Sequence, residues 1–181
     1  LHSPSINDLN DEVYEALNIY KEQGKIKFTG ISCDGKVLDH VLNDDFFDTV
    51  MVTYNIINQK PIKQIKKAYS KNFGVLIKSP LAHQLYSNKI FNIKGLNDLW
   101  YLLRIIKNYK KDFMKGFKYR FINNINNISG SEIALKFVID NPHIHTAMIG
   151  TTRLQNLKMN LNSIDLNIPN EIKQRILKVN N

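Results

Sequence analysis

The stretch 74-GVLIKSP-80 decides the fold class of this chain. Its apolar residues follow one another without strict alternation, which is typical of a buried strand in a parallel sheet. Similar apolar runs, each closed by a turn with small or polar residues, occur at 26-IKFTGIS-32, 49-TVMVTYN-55 and 145-HTAMIG-150. Helical patterns separate the runs at intervals of about 20 to 30 residues. This alternation predicts an α/β protein with a parallel sheet.

The first helical segments carry ordinary start and stop signals. Residues 11–25 end in a helix-stopping glycine, Gly24, and their apolar stripe consists of Val13, Ala16, Leu17 and Tyr20. Two more helices are predicted at 36–43 and 61–72, the second with a proline that suits a first helical turn.

The later helices are predicted from their ends. Ser129 and Glu132 have the spacing of a capping box and predict a helix that closes before 141-NP. The segment 169-PNEIKQRILK predicts a C-terminal helix begun by proline. Between residues 88 and 128 the rhythm of strands and helices is interrupted, so we interpret this part as a basic helical insertion after the third apolar run.

Positive charge is concentrated in that insertion. The formal net charge of the chain is +9. Residues 89–120 contain nine Lys or Arg against two Asp, so seven of the nine excess charges lie there. Such a segment indicates an anionic partner, either a nucleotide phosphate, nucleic acid or membrane headgroups, or else a solvated helix face.

Composition excludes several classes of protein. No apolar run approaches the roughly 18 to 20 residues that span a bilayer, and the N-terminus shows no signal peptide pattern. The single cysteine, Cys33, fits a reducing compartment, so we expect a cytoplasmic protein. Without CxxC or HExxH spacing, no metal site is expected. Because the first residue is Leu1, we expect truncation upstream.

The stretch 149-IGTTRLQNLKMN-160 predicts a seat for an anionic group. A glycine ends the apolar run, and Thr151 or Thr152 is expected to cap the helix that follows. Backbone N–H groups and the helix dipole converge at such a helix start, where they favour a phosphate.

Two architectures fit this order of elements. One is an open doubly wound sheet, and the other is part of a (β/α)8 barrel. No GxGxxG follows the first apolar run, as a dinucleotide-binding open sheet would require. A complete barrel needs about 250 residues, so a chain of this length would be a partial barrel.

The motifs resemble, in order, the C-terminal half of the aldo-keto reductases. The segment around His2 resembles the end of the family's fourth strand, and 24-GKIKFTGIS-32 resembles its fifth unit. Tyr54 and Asn55 match the end of strand six, and 78-KSPLA-82 matches the seventh-strand signature. Strand eight and its nucleotide-binding helix are matched by 147-AMIGTT-152 and Asn160.

This resemblance implies a partial (β/α)8 TIM barrel over residues 1–181, running from the end of strand four through strand eight to the C-terminal helices, with the insertion at 88–128. It implies an NAD(P)H-dependent oxidoreductase of small aldehydes or ketones. The cofactor is expected to be NADP(H), with NAD(H) possible. The family's Asp, Tyr and Lys lie on the N-terminal half of the barrel, which is the missing partner of this chain.

The resemblance also assigns site residues. His2 is the expected catalytic residue beside the substrate carbonyl, and Ser32 the expected contact of the nicotinamide carboxamide. The pyrophosphate is assigned to Ser79 and Leu81. The adenosine 2′-phosphate and adenine are assigned to Gly150, Thr151, Asn156 and Asn160.

Three positions around the expected nicotinamide site, and one at the nucleotide end, depart from the family's pattern. Cys33 stands where an Asn is usual, and Met51 stands where a carboxamide-binding Gln is common. Lys78 occupies a position that is often aromatic, where a ring stacks under the nicotinamide. At the nucleotide end, a cation is common where Asn156 stands, so Arg153 or Lys158 is expected to supply charge instead.

Two alternatives remain at this stage. The chain is either the cofactor-binding half of the reductase or a truncated, catalytically inactive nucleotide-binding or decayed fragment. A nucleic acid or membrane role for the basic stretch is not expected, because its leucine stripe is expected in a core, the stripe being Leu99, Leu102, Leu103 and Ile106. We expect His2 to be frayed. A half barrel with open sheet edges is expected to be molten or oligomeric.

Overall fold

The computed structural model describes residues 1–88, 95–125 and 128–180. In chain order its helices and strands are α1 (Asp11–Glu22), β1 (Gly30–Ser32), α2 (Gly35–Val41), β2 (Thr49–Thr53), α3 (Ile62–Ser70), β3 (Gly74–Lys78), α4 (Leu96–Gly116), α5 (Gly130–Ile139), β4 (Thr146–Ala147), α6 (Leu154–Asn162) and α7 (Asn170–Asn180). Short 3-10 turns lie at Ile6–Asp8, Ala82–Gln84 and Phe117–Asn124.

The chain divides into two compact units. The sheet unit comprises Leu1–Tyr54, Lys60–Lys78 and Asn141–Met148. The helical unit comprises Asn55–Gln59, Ser79–Asp140 and Ile149–Asn181.

The sheet unit contains four parallel strands in the order β1-β2-β3-β4. This confirms the prediction of an α/β protein with a parallel sheet. Val50 and Val52 of β2 and Val75 and Ile77 of β3 are completely buried. The residues between them are half-buried, so neither face of these two strands is open to solvent.

The first strand is shorter than the apolar run predicted. It begins at Gly30, which pairs with Thr49, whereas Phe28 is 74% exposed. The reason lies in Thr29, whose N–H and hydroxyl both donate to the Asp48 carboxylate, at 2.6 and 2.9 Å. These bonds join the chain to the start of β2 at Thr29, and the residues before it lie outside the ladder.

The predicted stripe of α1 is only partly correct. Val13 and Leu17 are half-buried, but Ala16 and Tyr20 are exposed. Tyr14 is a residue of α1 that makes specific contacts with the sheet unit. Its ring stacks on Phe46 with centroids 4.4 Å apart, and its hydroxyl donates to Asp44 at 2.6 Å.

The helical unit is built around one apolar cluster. Its buried members come from every part of the unit and are Ile56, Ile57, Ala82, Leu85, Tyr86, Ile105, Tyr119, Ile122, Ile133, Ala134, Ile168 and Ile176. The predicted capping box is confirmed, since Glu132 N–H donates to Ser129 Oγ and Ser129 N–H donates to the Glu132 carboxylate.

The stripe predicted for α4 is wrong at two of its four positions. Leu102 is buried and Ile106 half-buried, as expected, but Leu99 and Leu103 are exposed. Ile105 enters the core in their place. The buried face of α4 is therefore rotated from the one that the leucine spacing indicates. Within the described part of the chain, no helix combines the length and apolar character that crossing a bilayer requires.

Candidate functional site

A polar cluster lies where β1, β2 and β3 end. In a parallel sheet the carboxyl ends of the strands share one edge, which is where α/β proteins place their sites. Lys78, the last residue of β3, donates from Nζ to Ser32 Oγ at 3.1 Å and forms an ion pair with Asp34 at 3.0 Å. Thr53, at the end of β2, donates to Asp34 from its N–H at 2.7 Å and from its hydroxyl at 2.9 Å.

This arrangement leaves Ser32 well suited to bind a polar group. Its side chain is nearly buried, and its oxygen accepts a hydrogen bond from Lys78. A hydroxyl that accepts from a cation keeps its own hydrogen to donate, for example to an amide carbonyl. Asp34 and Thr53 were not singled out from the sequence. Their position directly after strand ends is the signal that could have found them.

Cys33, between Ser32 and Asp34, is not an activated thiol. Burial raises the pKa of Cys33 to about 11, the neighbouring Asp34 carboxylate adds to the increase, and Lys78 opposes it. The thiol is thus protonated at neutral pH, whereas a nucleophilic cysteine needs the thiolate. Its backbone N–H donates to Met51 O at 3.1 Å, so Cys33 serves the ladder between β1 and β2.

The expectation that His2 is frayed is wrong. His2 pairs with Ser32 as an isolated parallel bridge. Ser32 N–H donates to Leu1 O at 2.9 Å, and Ser3 N–H donates to Ser32 O at 2.8 Å. These two backbone bonds extend the sheet by a short segment beside β1. The His2 side chain is exposed, and its catalytic assignment stays a prediction.

The turn after β3 is held in an unusual conformation within the helical unit. Asn55 donates from Nδ2 to Ser79 O at 3.0 Å, and its Oδ1 accepts from the N–H groups of Ile57 and Asn58. Ser79 has a φ of 54°, and Ala82 to Gln84 also have positive φ. Non-glycine residues adopt this region at a cost, and such strain concentrates at binding sites.

Leu81 and Ser79 differ in role within this turn. Leu81 is half-buried and packs against the core of the helical unit. Ser79 accepts a hydrogen bond from Ala82 N–H at 3.0 Å through its carbonyl, while its side chain is half-buried. The turn therefore has one residue that anchors it and one that presents a hydroxyl.

The expectation that Thr151 or Thr152 caps the last predicted nucleotide helix is wrong. The N-cap of α6 is Arg153, and it makes no side-chain capping hydrogen bond. Thr151 Oγ1 instead accepts from Arg153 N–H at 3.2 Å. The Thr151 hydroxyl is thus engaged in a local turn before α6 and accepts no hydrogen bond from an N–H group within the helix. The helix start thus lacks a side-chain cap, which leaves it open to an anion.

Asn156 and Asn160 lie one turn apart on α6, so they share one face of the helix. Asn156 is exposed, as are Gly150 and Thr151. Asn160 is only 7% exposed. An amide both donates and accepts hydrogen bonds, so the Asn160 side chain is chemically suited to contact a bound polar group.

His143 and His145 have structural contacts. His145 Nδ1 accepts from Val75 N–H at 3.0 Å, and Tyr69 stacks on His145 and meets His143 edge-on. No grouping of three His, Cys, Asp or Glu side chains suitable for a metal ion occurs among the residues that the structure describes.

Solved structures resemble this chain over almost its whole length. An aldo-keto reductase from Bacillus halodurans in its holo form superimposes with a TM-score of 0.75 at 22% identity, over 99% of this chain and 57% of that protein. Its apo form gives a TM-score of 0.71 at 22% identity, over 99% of this chain and 60% of that protein. At such identities the likeness concerns the fold.

A thermostable aldo-keto reductase in complex with the inhibitor epalrestat gives a TM-score of 0.70 at 17% identity, over 99% of this chain and 58% of that one. The chain thus spans less than two thirds of these proteins, which confirms the prediction of a partial (β/α)8 barrel. No curated protein matches it by sequence. The sequence profile of the aldo/keto reductase family matches residues 1–181. The chain belongs to the aldo/keto reductase family.

Proposed function

We propose that residues 1–181 are the cofactor-binding half of an NAD(P)H-dependent oxidoreductase that reduces small aldehydes or ketones. Family membership over the whole chain supports the reaction class. The geometric observation that carries the proposal is the start of α6. This helix begins without a side-chain cap, and one turn beyond Asn156 it carries Asn160, which is only 7% exposed.

The α6 residues suit the adenosine end of the cofactor. The open N–H groups near Gly150 and Thr151 favour a phosphate, and the amides of Asn156 and Asn160 suit a base or phosphate oxygen. Arg153 is exposed at the N-cap of α6 and supplies a cation where Asn156 does not. These features favour NADP(H), with NAD(H) as the other candidate.

The two strand-end turns suit the rest of the cofactor. Ser32 would donate to the nicotinamide carboxamide, because Lys78 occupies its acceptor side. Ser79 and Leu81, in the strained turn that Asn55 fixes, would line the pyrophosphate. When bound, the cofactor supplies the hydride. The residues of this chain bind and orient it.

His2 is the proposed catalytic contact of this chain with the substrate carbonyl. Its backbone is fixed beside Ser32, and its exposed imidazole is able to donate a hydrogen bond to a carbonyl oxygen. The chain spans 57% of the reductase from Bacillus halodurans. We therefore assign the proton donor of the reaction to residues outside it.

Replacing both Asn156 and Asn160 with Ala tests the proposed function. Loss of two amide contacts should weaken NADPH binding by about 10- to 100-fold, since each hydrogen bond contributes roughly 1 kcal/mol. Fluorescence titration with NADPH and with NADH measures this, and circular dichroism checks that the fold persists.

Asn18→Ala on α1 is the control for Asn156, because Asn18 is likewise an exposed helical asparagine but lies in the sheet unit. The affinity of Asn18→Ala for NADPH should equal that of the unaltered protein. Equal affinity in the Asn156/Asn160 double variant would show that the α6 assignment is wrong. If neither nucleotide binds the unaltered protein, the chain is instead the inactive fragment.

A further inference from the structure

The outer face of α4 is apolar although it is exposed. We use this name for the side of α4 that carries Leu96, Leu99, Trp100 and Leu103. Leu96 is 85% exposed, Trp100 61% and Leu103 58%. Their spacing of three and four residues places them on one stripe of the helix. Three large apolar side chains this exposed within two turns mark an interaction surface.

This stripe is separate from the face that α4 buries. Leu102 and Ile105 enter the core of the helical unit, and a Cβ at Gly116 would collide with the Leu85 carbonyl, so the helix is closely packed there. At about 100° per residue, Leu102 and Ile105, which precede the kink at Tyr109, lie on the other side of the helix from Leu96, Trp100 and Leu103. The helix therefore has one apolar face for its own core and another turned away from it.

Basic side chains follow the outer face along α4, two of them before and two after a kink at Tyr109, whose φ of −129° is not helical. Arg104, Lys107, Lys110 and Lys111 are exposed. The Arg104 guanidinium lies 5.2 Å from the centroid of the Trp100 ring, so the cationic and apolar parts of the surface touch. Asp112, the acidic residue of α4 whose side chain the structure describes, is half-buried.

The charge decides between possible occupants. A second copy of this chain would bring its own cluster of cations against these four, which repel it. A nucleic acid would use the cations and the Trp100 ring, but Leu96, Leu99 and Leu103 offer no flat surface on which bases stack. An anionic lipid membrane contacts both the apolar stripe and the basic side chains. Leucine and tryptophan enter the boundary of the acyl chains, while lysine and arginine reach the headgroups.

We propose that the outer face of α4 binds the surface of anionic phospholipid membranes. The part of α4 before the kink at Tyr109 lies in the plane of the interface, with Leu96, Trp100 and Leu103 inserted and the basic residues against phosphate groups. The proposal is independent of the proposed reductase function. It also replaces the expectation that this protein has no membrane partner, which depended on Leu99 and Leu103 entering a core.

Trp100 makes the proposal directly measurable, since it is the only tryptophan in the chain. Vesicles of phosphatidylcholine and phosphatidylglycerol should shift its emission to shorter wavelength and shield it from acrylamide. Vesicles of phosphatidylcholine alone should do so weakly, and added salt should reduce the effect. Co-sedimentation gives the partition coefficient by a second method.

Variants separate the two parts of the surface. Replacing Lys107, Lys110 and Lys111 with Gln should lower the partition coefficient about a hundredfold. Replacing Lys60, Lys63 and Lys66 with Gln removes the same charge from exposed positions around α3 and should change it far less. Leu96→Gln with Leu103→Gln should abolish the emission shift, whereas Phe28→Ala, at another exposed apolar site, should leave it intact.

Several outcomes would overturn the proposal. One is an unchanged Trp100 emission with anionic vesicles. Another is equal binding to neutral vesicles, or equal loss in both lysine triples, since either indicates non-specific adhesion. Shielding of Trp100 that grows with protein concentration in the absence of lipid would assign the face to a second copy. Salt-sensitive quenching by an oligonucleotide without any response to vesicles would assign it to nucleic acid.

Discussion

Asp34 organises the polar end of the sheet through its contacts with Lys78 and Thr53. The Lys78–Asp34 pair is 3.0 Å long, and both side chains are partly exposed. Two hydrogen bonds from Thr53 hold the carboxylate still, so less side-chain entropy is lost when the ion pair forms. This pair should therefore contribute more than an ordinary surface ion pair.

A double-mutant cycle of Asp34→Asn and Lys78→Met tests this. We expect a coupling free energy of about 0.5 to 1 kcal/mol from denaturant unfolding. The comparison cycle uses Asp45 and Lys71, which pair at 3.1 Å while the Asp45 side chain is 87% exposed. Its coupling should be close to zero. Equal coupling in both cycles would contradict the role given to Thr53.

Asp48 should make stability depend on acid pH. Burial raises the pKa of its carboxyl, but the hydrogen bonds from Thr29 and Lys21 outweigh burial and hold it below the ordinary value of 3.8. A carboxylate with a lowered folded-state pKa stabilises the fold above its unfolded pKa. That contribution is lost as the pH falls below about 4 and through the folded value.

Asp48→Asn should thus destabilise the protein at neutral pH by about 1 to 2 kcal/mol and flatten the loss of stability on acidification. Urea unfolding at a series of pH values measures both. Asp165→Asn, at an exposed position, serves as the control and should keep the original pH profile. If the Asp48→Asn protein still loses stability steeply at acid pH, that loss comes from other carboxylates, such as Asp140, whose pKa is also lowered.

Among the helices, α5 and α6 show what a cap contributes. Ser129 and Glu132 satisfy two backbone N–H groups at the start of α5, whereas the N-cap of α6, Arg153, provides no side-chain bond. Ser129→Ala should cost about 1 kcal/mol of unfolding free energy. Arg153→Ala should cost much less, because no capping bond is lost. Thermal or urea unfolding compares the two, and equal costs would contradict the capping account.

At the scale of the whole molecule, the sheet has edges that this chain does not close. Within the described residues β4 pairs with β3 alone, and β1 has the short Leu1–Ser3 segment on its outer side. Unpaired strand edges bind other strands. We expect the isolated 181 residues to self-associate and to melt over a broad range. Sedimentation velocity and calorimetry measure this, and a monomer with one sharp transition would refute it.

The sequence by itself determined the class of the fold and the order of its elements. Consecutive apolar residues at 49–55 and 74–80 require cover on both faces, which only a parallel sheet flanked by helices supplies. The capping box at Ser129 and the proline before α7 are likewise readable, because each depends on neighbours within four residues. Local chemistry of this kind needs no partner from elsewhere in the chain.

The tertiary structure alone decided which faces are buried and which polar groups meet. Periodicity defines a stripe but not the surface that it meets, so Leu99 and Leu103 of α4 were expected in the core and are exposed. Asp34, Thr53 and Lys78 are far apart in sequence and meet because parallel strands end at one edge. Contacts across such separations depend on the register of the sheet, which no short stretch of sequence encodes.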